Sequence, residues 1–159
     1  MSKHIVFIGA GAVGAYVGGH LTRLGEDVTL VDAWPEHVRA MREHGLQLSG
    51  SQGEHRVRVH ALTLGDVQGF LRKPVDIAIV CTKSYDTEWA ATLIEPYLAP
   101  QGYVVSMQNG ANEERIARAV GWGRTVGATV STISVDAYQP GCVRRYQQPG
   151  GATGHAVFR

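Results

Sequence analysis

The sequence predicts an α/β fold built on a doubly wound, mostly parallel sheet. Three observations predict it. Ile5 to Ile8 is a continuous apolar run that feeds directly into Gly9-Ala-Gly-Ala-Val-Gly14, and a helical pattern follows. Val28 to Val31 is a second such run, and it ends in Asp32. Val75 to Val80 is a third, and it ends in Cys81-Thr-Lys-Ser84. Continuous, largely β-branched runs suit strands covered on both faces, and a helix between two of them makes a βαβ unit.

The first unit carries the clearest chemistry. Ala12, Val13, Tyr16, Val17, His20, Leu21 and Leu24 recur at helical spacing, and Gly25 ends the helix as a C′ glycine does. Gly9, Ala10, Gly11, Ala12, Val13 and Gly14 therefore form a G-x-G-x-x-G turn between a strand and a helix. Gly9 turns the chain sharply, Gly11 lets a pyrophosphate approach the backbone, and Gly14 lets the helix lie close to the strand. The helix N-terminus supplies free N–H groups and a positive dipole end to phosphates. Asp32, at the end of the second strand, stands where a carboxylate accepts from an adenosine ribose; its plainer alternative is to cap the next helix. These features predict a Rossmann-type dinucleotide site. The main chemical rival is a methyltransferase, with a nucleoside cofactor on a similar turn.

The remaining elements follow in order. Pro35 to His44 reads as a second helix with proline in its first turn and Val38 and Met41 inward; His37 and His44 read as solvated, and no metal-ligand spacing is present. Leu46 and Leu48, a Gly50-Ser-Gln-Gly53 turn, and Val57, Val59 and Ala61 alternate as one half-buried β-hairpin with Arg56 and Arg58 on the solvent face. After the third core strand, Thr82 and Lys83 occupy a strand-end loop, where doubly wound folds carry their sites. Ser84 is placed to cap a helix over Tyr85 to Ile94, with Ala90, Ala91 and Ile94 inward. Gly102 to Ser106 reads as a short strand. Asn109-Gly110 is either site or turn chemistry, and Asn112 or Gly110 caps a helix carrying Glu113 and Glu114 in its first turn and Ile116, Ala117 and Val120 inward. Val126 to Val135, a Tyr138-Gln-Pro-Gly141 turn and Cys142 to Tyr146 predict an added antiparallel pair at the sheet edge. Gly150, Gly151 and Gly154 form a glycine run before a last strand at Ala156 to Arg159. Trp34, Trp89 and Trp122 read as packing residues.

Length and charge exclude several classes. The 159 residues predict a single domain over residues 1–159. A net charge of +1 points to neither nucleic acid nor an anionic membrane. No apolar run approaches the roughly 20 residues of a membrane span, and the first strand starts too early for a signal peptide. Two cysteines without a local motif, Cys81 and Cys142, fit a reduced, cytoplasmic protein with inert thiols.

The order G-A-G-A-V-G, V-C-T-K-S-Y-D-T, M-Q-N-G-A-N-E-E-R and Q-P-G-C-V with its glycine run resembles the N-terminal domain of ketopantoate reductases (2-dehydropantoate 2-reductases) along essentially the whole chain. The resemblance implies NADP(H) binding and reduction of 2-dehydropantoate to pantoate, on the route to pantothenate and coenzyme A. It implies that Lys83 and Asn109 lie beside nicotinamide and substrate, with Glu114 near the site. It also implies a second, all-helical domain carrying a general-acid lysine and a substrate-binding carboxylate, neither of which can be placed in this sequence. NADP-using members often carry a basic residue where this chain has Asp32, so Asp32 favours NAD over NADP. The expected partner is a small 2-oxo acid, with a homodimer left open. Two other readings stand beside this one: a non-catalytic dinucleotide-sensing module, and a dehydrogenase of another 2-oxo or 3-hydroxy acid.

Overall fold

The computed structural model describes residues 2–130 and 133–146 and the backbone of residues 157–158. The elements are β1 (His4–Ile8), α1 (Ala12–Arg23), β2 (Asp27–Asp32), α2 (Pro35–His44), β3 (Leu46–Gly50), β4 (His55–Val57), β5 (His60–Thr63), β6 (Val75–Val80), α3 (Thr87–Ile94), β7 (Leu98–Ser106), α4 (Glu113–Val120), β8 (Thr125–Thr129), β9 (Val135–Gln139), β10 (Cys142–Arg145) and β11 (Val157–Phe158). The main sheet runs β11-β8-β7-β6-β1-β2-β5. Six of its strands are parallel, and only β11 runs antiparallel, against β8. Without β11 this is the 3-2-1-4-5-6 order of a doubly wound dinucleotide fold, with its switch point between β1 and β6.

The β1 strand is continuously apolar because both its faces are covered. Ile5 and Phe7 join the core on the α1 side of the sheet, while Val6 and Ile8 join the core on the α3 and α4 side. Each fully buried side chain of this size contributes ~1.5–3 kcal/mol of apolar burial.

The inner face of α1 is built largely from small residues, with Val17 and Leu21 packed beside them. Gly14, Ala15, Tyr16, Gly18 and Gly19 are buried, whereas Leu24 is 75% exposed. The reason is that α1 is covered on two sides. A Cβ on Gly18 would lie 2.5 Å from Leu30 of the main sheet, and one on Gly19 would lie 2.6 Å from Leu46 of a second sheet. Small residues let the helix fit between the two layers. Gly25, at φ +92°, closes the helix with bonds from Gly25 N–H to Thr22 O and from Glu26 N–H to Leu21 O, the two bonds of a Schellman motif.

The second sheet runs β4-β3-β10-β9, and it corrects two expectations. The predicted hairpin divides: β3 and β4 pair antiparallel across the Gly50–Gly53 turn, but β5 leaves them and pairs parallel to β2. The predicted antiparallel pair also divides: Val126 lies in β8, which extends the main sheet parallel to β7, whereas β10 pairs antiparallel with β9 and parallel with β3 and completes the small sheet over α1. A 3₁₀ segment, Leu64–Leu71, not foreseen in the sequence, covers the other face with Val67 and Phe70. The β7 strand starts at Leu98, earlier than Gly102. The predicted last strand is present at Val157–Phe158, while Gly150, Gly151 and Gly154 lie outside the described residues. Among the described residues no helix is long and apolar enough to cross a membrane.

Candidate functional site

A cleft of about 490 Å³ opens at the C-terminal ends of the parallel strands, at the switch point between β1 and β6. Gly9, Gly11, Ala12, Val13 and Asp32 line one side of it, and Thr82, Lys83 and Asn109 line the other. The structure thus gathers eight of the ten residues singled out in the sequence. The other two, Ala10 and Gly14, sit behind the cleft. Ala10 is fully buried, and a Cβ on Gly14 would lie 2.1 Å from the Gly9 carbonyl oxygen, so only glycine lets the helix start this close to the turn.

Gly9 and Gly11 are glycines for different reasons. Gly9 has φ +94°, and a Cβ there would lie 2.8 Å from the Thr82 backbone nitrogen, so the turn passes directly over the next strand's loop. A Cβ on Gly11 would meet nothing within 4 Å. The space above Gly11 is therefore open on the cleft side, which is the space a phosphate needs. No side chain caps the N-terminus of α1, and its first turn holds no acid. Its free amides and dipole end face this cleft with no built-in competitor for an anion.

Asp32 is half-buried at the rim, and its Oδ1 accepts from Trp34 N–H at 2.9 Å. It therefore orders the start of α2 as well as facing the cleft. Arg42 is not available to it: Nε donates to Ala61 O at 2.7 Å, and Nη2 pairs with Asp66 at 2.7 Å.

On the far side, Lys83 is exposed, and its side chain makes no hydrogen bond or ion pair among the described residues. Lys3 and Lys73 pair with Asp76 and Asp27 at the opposite end of the sheet. Asn109 is exposed at the end of β7, and its carbonyl accepts from Asn112 Nδ2 at 3.0 Å. Asn112 directly precedes α4 but turns its side chain into this loop instead of capping the helix. Ser84 likewise does not cap by its side chain. It opens a 3₁₀ turn, Ser84–Asp86, and its carbonyl accepts from Thr87 Oγ1 and from Arg115 Nη1.

Gln108 ties the two loops together. Its Nε2 donates to Thr82 O and to Thr87 Oγ1, both at 2.9 Å. Sequence reasoning passed over Gln108, although its place beside Asn109 in the Met-Gln-Asn-Gly stretch was the available signal. Glu114 lies outside the cleft, on the exposed side of α4, and pairs with Arg118. Cys81 borders the cleft, but burial pushes its thiol up to about 12, so it is not a nucleophile at neutral pH. Trp34, Trp89 and Trp122 are 41%, 43% and 66% exposed; Trp34 packs its ring on His37, and Trp89 lines the cleft beside Tyr85.

His37 also departs from expectation. It is 1% exposed, its Nε2 bonds to Ala10 O at 2.9 Å, and Gly141 N–H donates to its Nδ1 at 2.9 Å. Among the described residues no group of His, Cys, Asp and Glu is placed to hold a metal ion.

This cleft fits a dinucleotide: an open glycine and an uncapped helix end, with a carboxylate on the same side and a cation with an amide on the other. The comparisons agree. A family model described as Ketopantoate reductase PanE/ApbA matches residues 5–154. A relative from Pyrococcus horikoshii, 2-dehydropantoate 2-reductase, is 34% identical over 140 residues, covering 87% of this chain and 43% of the relative. The crystal structure of a PanE/ApbA family ketopantoate reductase from Ralstonia eutropha superposes with a TM-score of 0.80 at 33% identity, covering 91% of this chain and 47% of that one. A ternary structure of D-mandelate dehydrogenase with NADH and anilino(oxo)acetate superposes with a TM-score of 0.81 at 26% identity, covering 91% and 46%. The chain thus spans less than half the length of each of these proteins.

Proposed function

The chain belongs to the ketopantoate reductase family, and from that premise we propose that residues 1–159 form the dinucleotide-binding domain of a cytoplasmic oxidoreductase that reduces 2-dehydropantoate to pantoate. The observation that carries this reading is the shared cleft: the open face of Gly11 at an uncapped helix end, with Asp32, Lys83 and Asn109 around the same space.

A reduced nicotinamide held in this cleft would supply the hydride for the substrate carbonyl. The chain's own residues bind and orient the reactants. The amides of Gly11, Ala12 and Val13 donate to the pyrophosphate. The Asp32 carboxylate accepts from an adenosine ribose hydroxyl, which favours NAD(H), because a 2′-phosphate of about −2 charge would face a like charge. Lys83 and Asn109, on adjacent strand ends, orient the nicotinamide side and the 2-oxo acid. The Lys83 ammonium favours negative charge as it develops on the carbonyl oxygen. Gln108 holds the Thr82–Lys83 loop against the Asn109 loop.

The test is calorimetric titration of the 159-residue chain with NADH and NADPH, followed by cofactor oxidation with 2-dehydropantoate in the active enzyme. Absence of binding to either cofactor refutes the reading. One observation supports a second substrate: Tyr85 and Trp89 give the cleft an aromatic wall, and a structural neighbour is a D-mandelate dehydrogenase. Faster turnover of an aryl 2-oxo acid than of 2-dehydropantoate would decide for that substrate.

A further inference from the structure

We propose that His37 is the positioning residue of the phosphate turn: it fixes the Ala10–Gly11 peptide so that the Gly11 N–H points into the cleft. This rests on the dinucleotide reading above and deepens it.

The turn's amides divide into two sets. Gly9 and Ala10 N–H both donate to Val31 O, at 2.9 and 3.1 Å, and so anchor the turn on the end of β2. Gly11 N–H has no protein acceptor among the described residues. What aims it is the carbonyl on the other side of the same peptide. Every peptide bond described is trans, and in a trans peptide the C=O and the following N–H point in opposite directions. His37 Nε2 takes the Ala10 carbonyl into the interior at 2.9 Å, which leaves the Gly11 N–H facing the open space above Gly11. Glycine has no Cβ to oppose rotation of that peptide. Rotated, it would present a carbonyl oxygen to the phosphate. His37 removes that alternative before the cofactor arrives.

The ring is itself held in one state. Gly141 N–H donates to Nδ1, so Nδ1 carries no proton and Nε2 carries the one it donates. Trp34 stacks on the ring, with interplanar angle 6° and centroids 5.3 Å apart. Gly141 lies in the β9–β10 turn, packed so closely on α2 that a Cβ there would be 3.0 Å from the Ala40 Cβ. The small sheet thereby reaches the cofactor turn through one imidazole, which gives that sheet a part in the site.

The experiment compares the wild-type chain with His37→Phe, which keeps a ring against Trp34 but has no nitrogen, and His37→Gln, whose amide can donate to one partner and accept from the other. Each is titrated with NADH and, by NMR, with adenosine. His37→Phe should weaken NADH about tenfold, or ~1.4 kcal/mol, and leave adenosine within about twofold; His37→Gln should recover most of the loss. Equal weakening of NADH and adenosine, or no weakening of NADH, overturns the proposal. Failure of the wild type to bind NADH would refute the dinucleotide reading instead. Should His37→Phe not fold, ¹⁵N NMR of the wild type decides. An Nε2–H tautomer, with the Gly11 amide shifting on NADH addition, supports the proposal; an Nδ1–H tautomer refutes it.

Discussion

Alanine at Gly11 and alanine at Gly14 should fail in opposite ways, although the two positions are three residues apart in one turn. At Gly11 the new Cβ meets nothing within 4 Å, and φ is −68°, which any residue adopts. Folding should therefore be nearly unaffected, while the methyl occupies the space a pyrophosphate needs. At Gly14 the Cβ falls 2.1 Å from the Gly9 carbonyl oxygen, more than 1 Å inside ordinary contact, against backbone that cannot swing aside. Overpacking of this kind costs ~1–3 kcal/mol and sometimes more, and backbone overlap puts Gly14→Ala at the upper end. At ~2–4 °C per kcal/mol for a domain of this size, its melting temperature should fall by about 6–12 °C. Thermal melts followed by circular dichroism, paired with NADH titrations, give both axes. Gly11→Ala should melt within about 2 °C of wild type and bind NADH at least tenfold more weakly. Equal destabilisation by the two variants, or full NADH affinity in Gly11→Ala, would refute the division of labour between the glycines.

Four further outcomes are expected. The wild-type chain should bind NADH about tenfold or more tightly than NADPH, and Asp32→Ser should narrow that ratio; calorimetry with both cofactors checks it, and tighter NADPH binding contradicts it. In the active enzyme, Lys83→Ala and Asn109→Ala should each lower kcat/KM by about tenfold or more, ~1.4 kcal/mol, with melting temperatures unchanged because both side chains are exposed. Asp66 accepts from Thr63 Oγ1, Thr63 N–H and Arg42, and these bonds, led by the Thr63 hydroxyl, hold its carboxyl at about 2, below the ordinary 3.8. Its cap should therefore stabilise the fold above about pH 4 and lose that contribution as pH falls toward 2; being exposed it is worth only ~0.5–1 kcal/mol, so the difference between wild type and Asp66→Asn in urea should close over that window. Finally, the 159-residue chain should bind cofactor yet turn over 2-dehydropantoate far below about 1 s⁻¹, since Lys83 is the one lysine at the cleft and cannot easily be positioner and proton donor together; turnover in the ordinary range would place the donor within these residues.

Much of the fold was legible because its central strands are simple. Strands covered on both faces, such as Ile5–Ile8 and Val75–Val80, have no polar face to confuse the pattern, and the strand–glycine–helix order then fixes where the turn opens. The second sheet was not legible because its decisive pairing, Leu48 with Val143, joins residues far apart in sequence. Alternation through Val57, Val59 and Ala61 reads as one strand, and nothing local reveals that the chain changes sheets between Val57 and His60. The small residues of α1 have the same explanation. A helix with one buried face shows large apolar residues on it, but a helix fitted between two sheets needs small ones, and Gly18 and Gly19 carry that requirement only once the second sheet is known.

The site divides along a similar line. The residues proposed to meet the cofactor, Gly9, Gly11 and Asp32, are fixed by spacing from a strand end, so sequence alone places them at the cleft. Residues that hold the site in shape answer to neighbours from elsewhere in the chain. Gln108 is explained by Thr82 and Thr87, and His37 by Ala10 and Gly141. A helix-face argument could have moved His37 inward, because it stands at i, i+1 and i+4 with Val38 and Met41, both buried. That spacing would have shown it facing the core, but its two hydrogen-bond partners come from the glycine turn and the far hairpin, and only the folded chain brings them to opposite nitrogens of one ring.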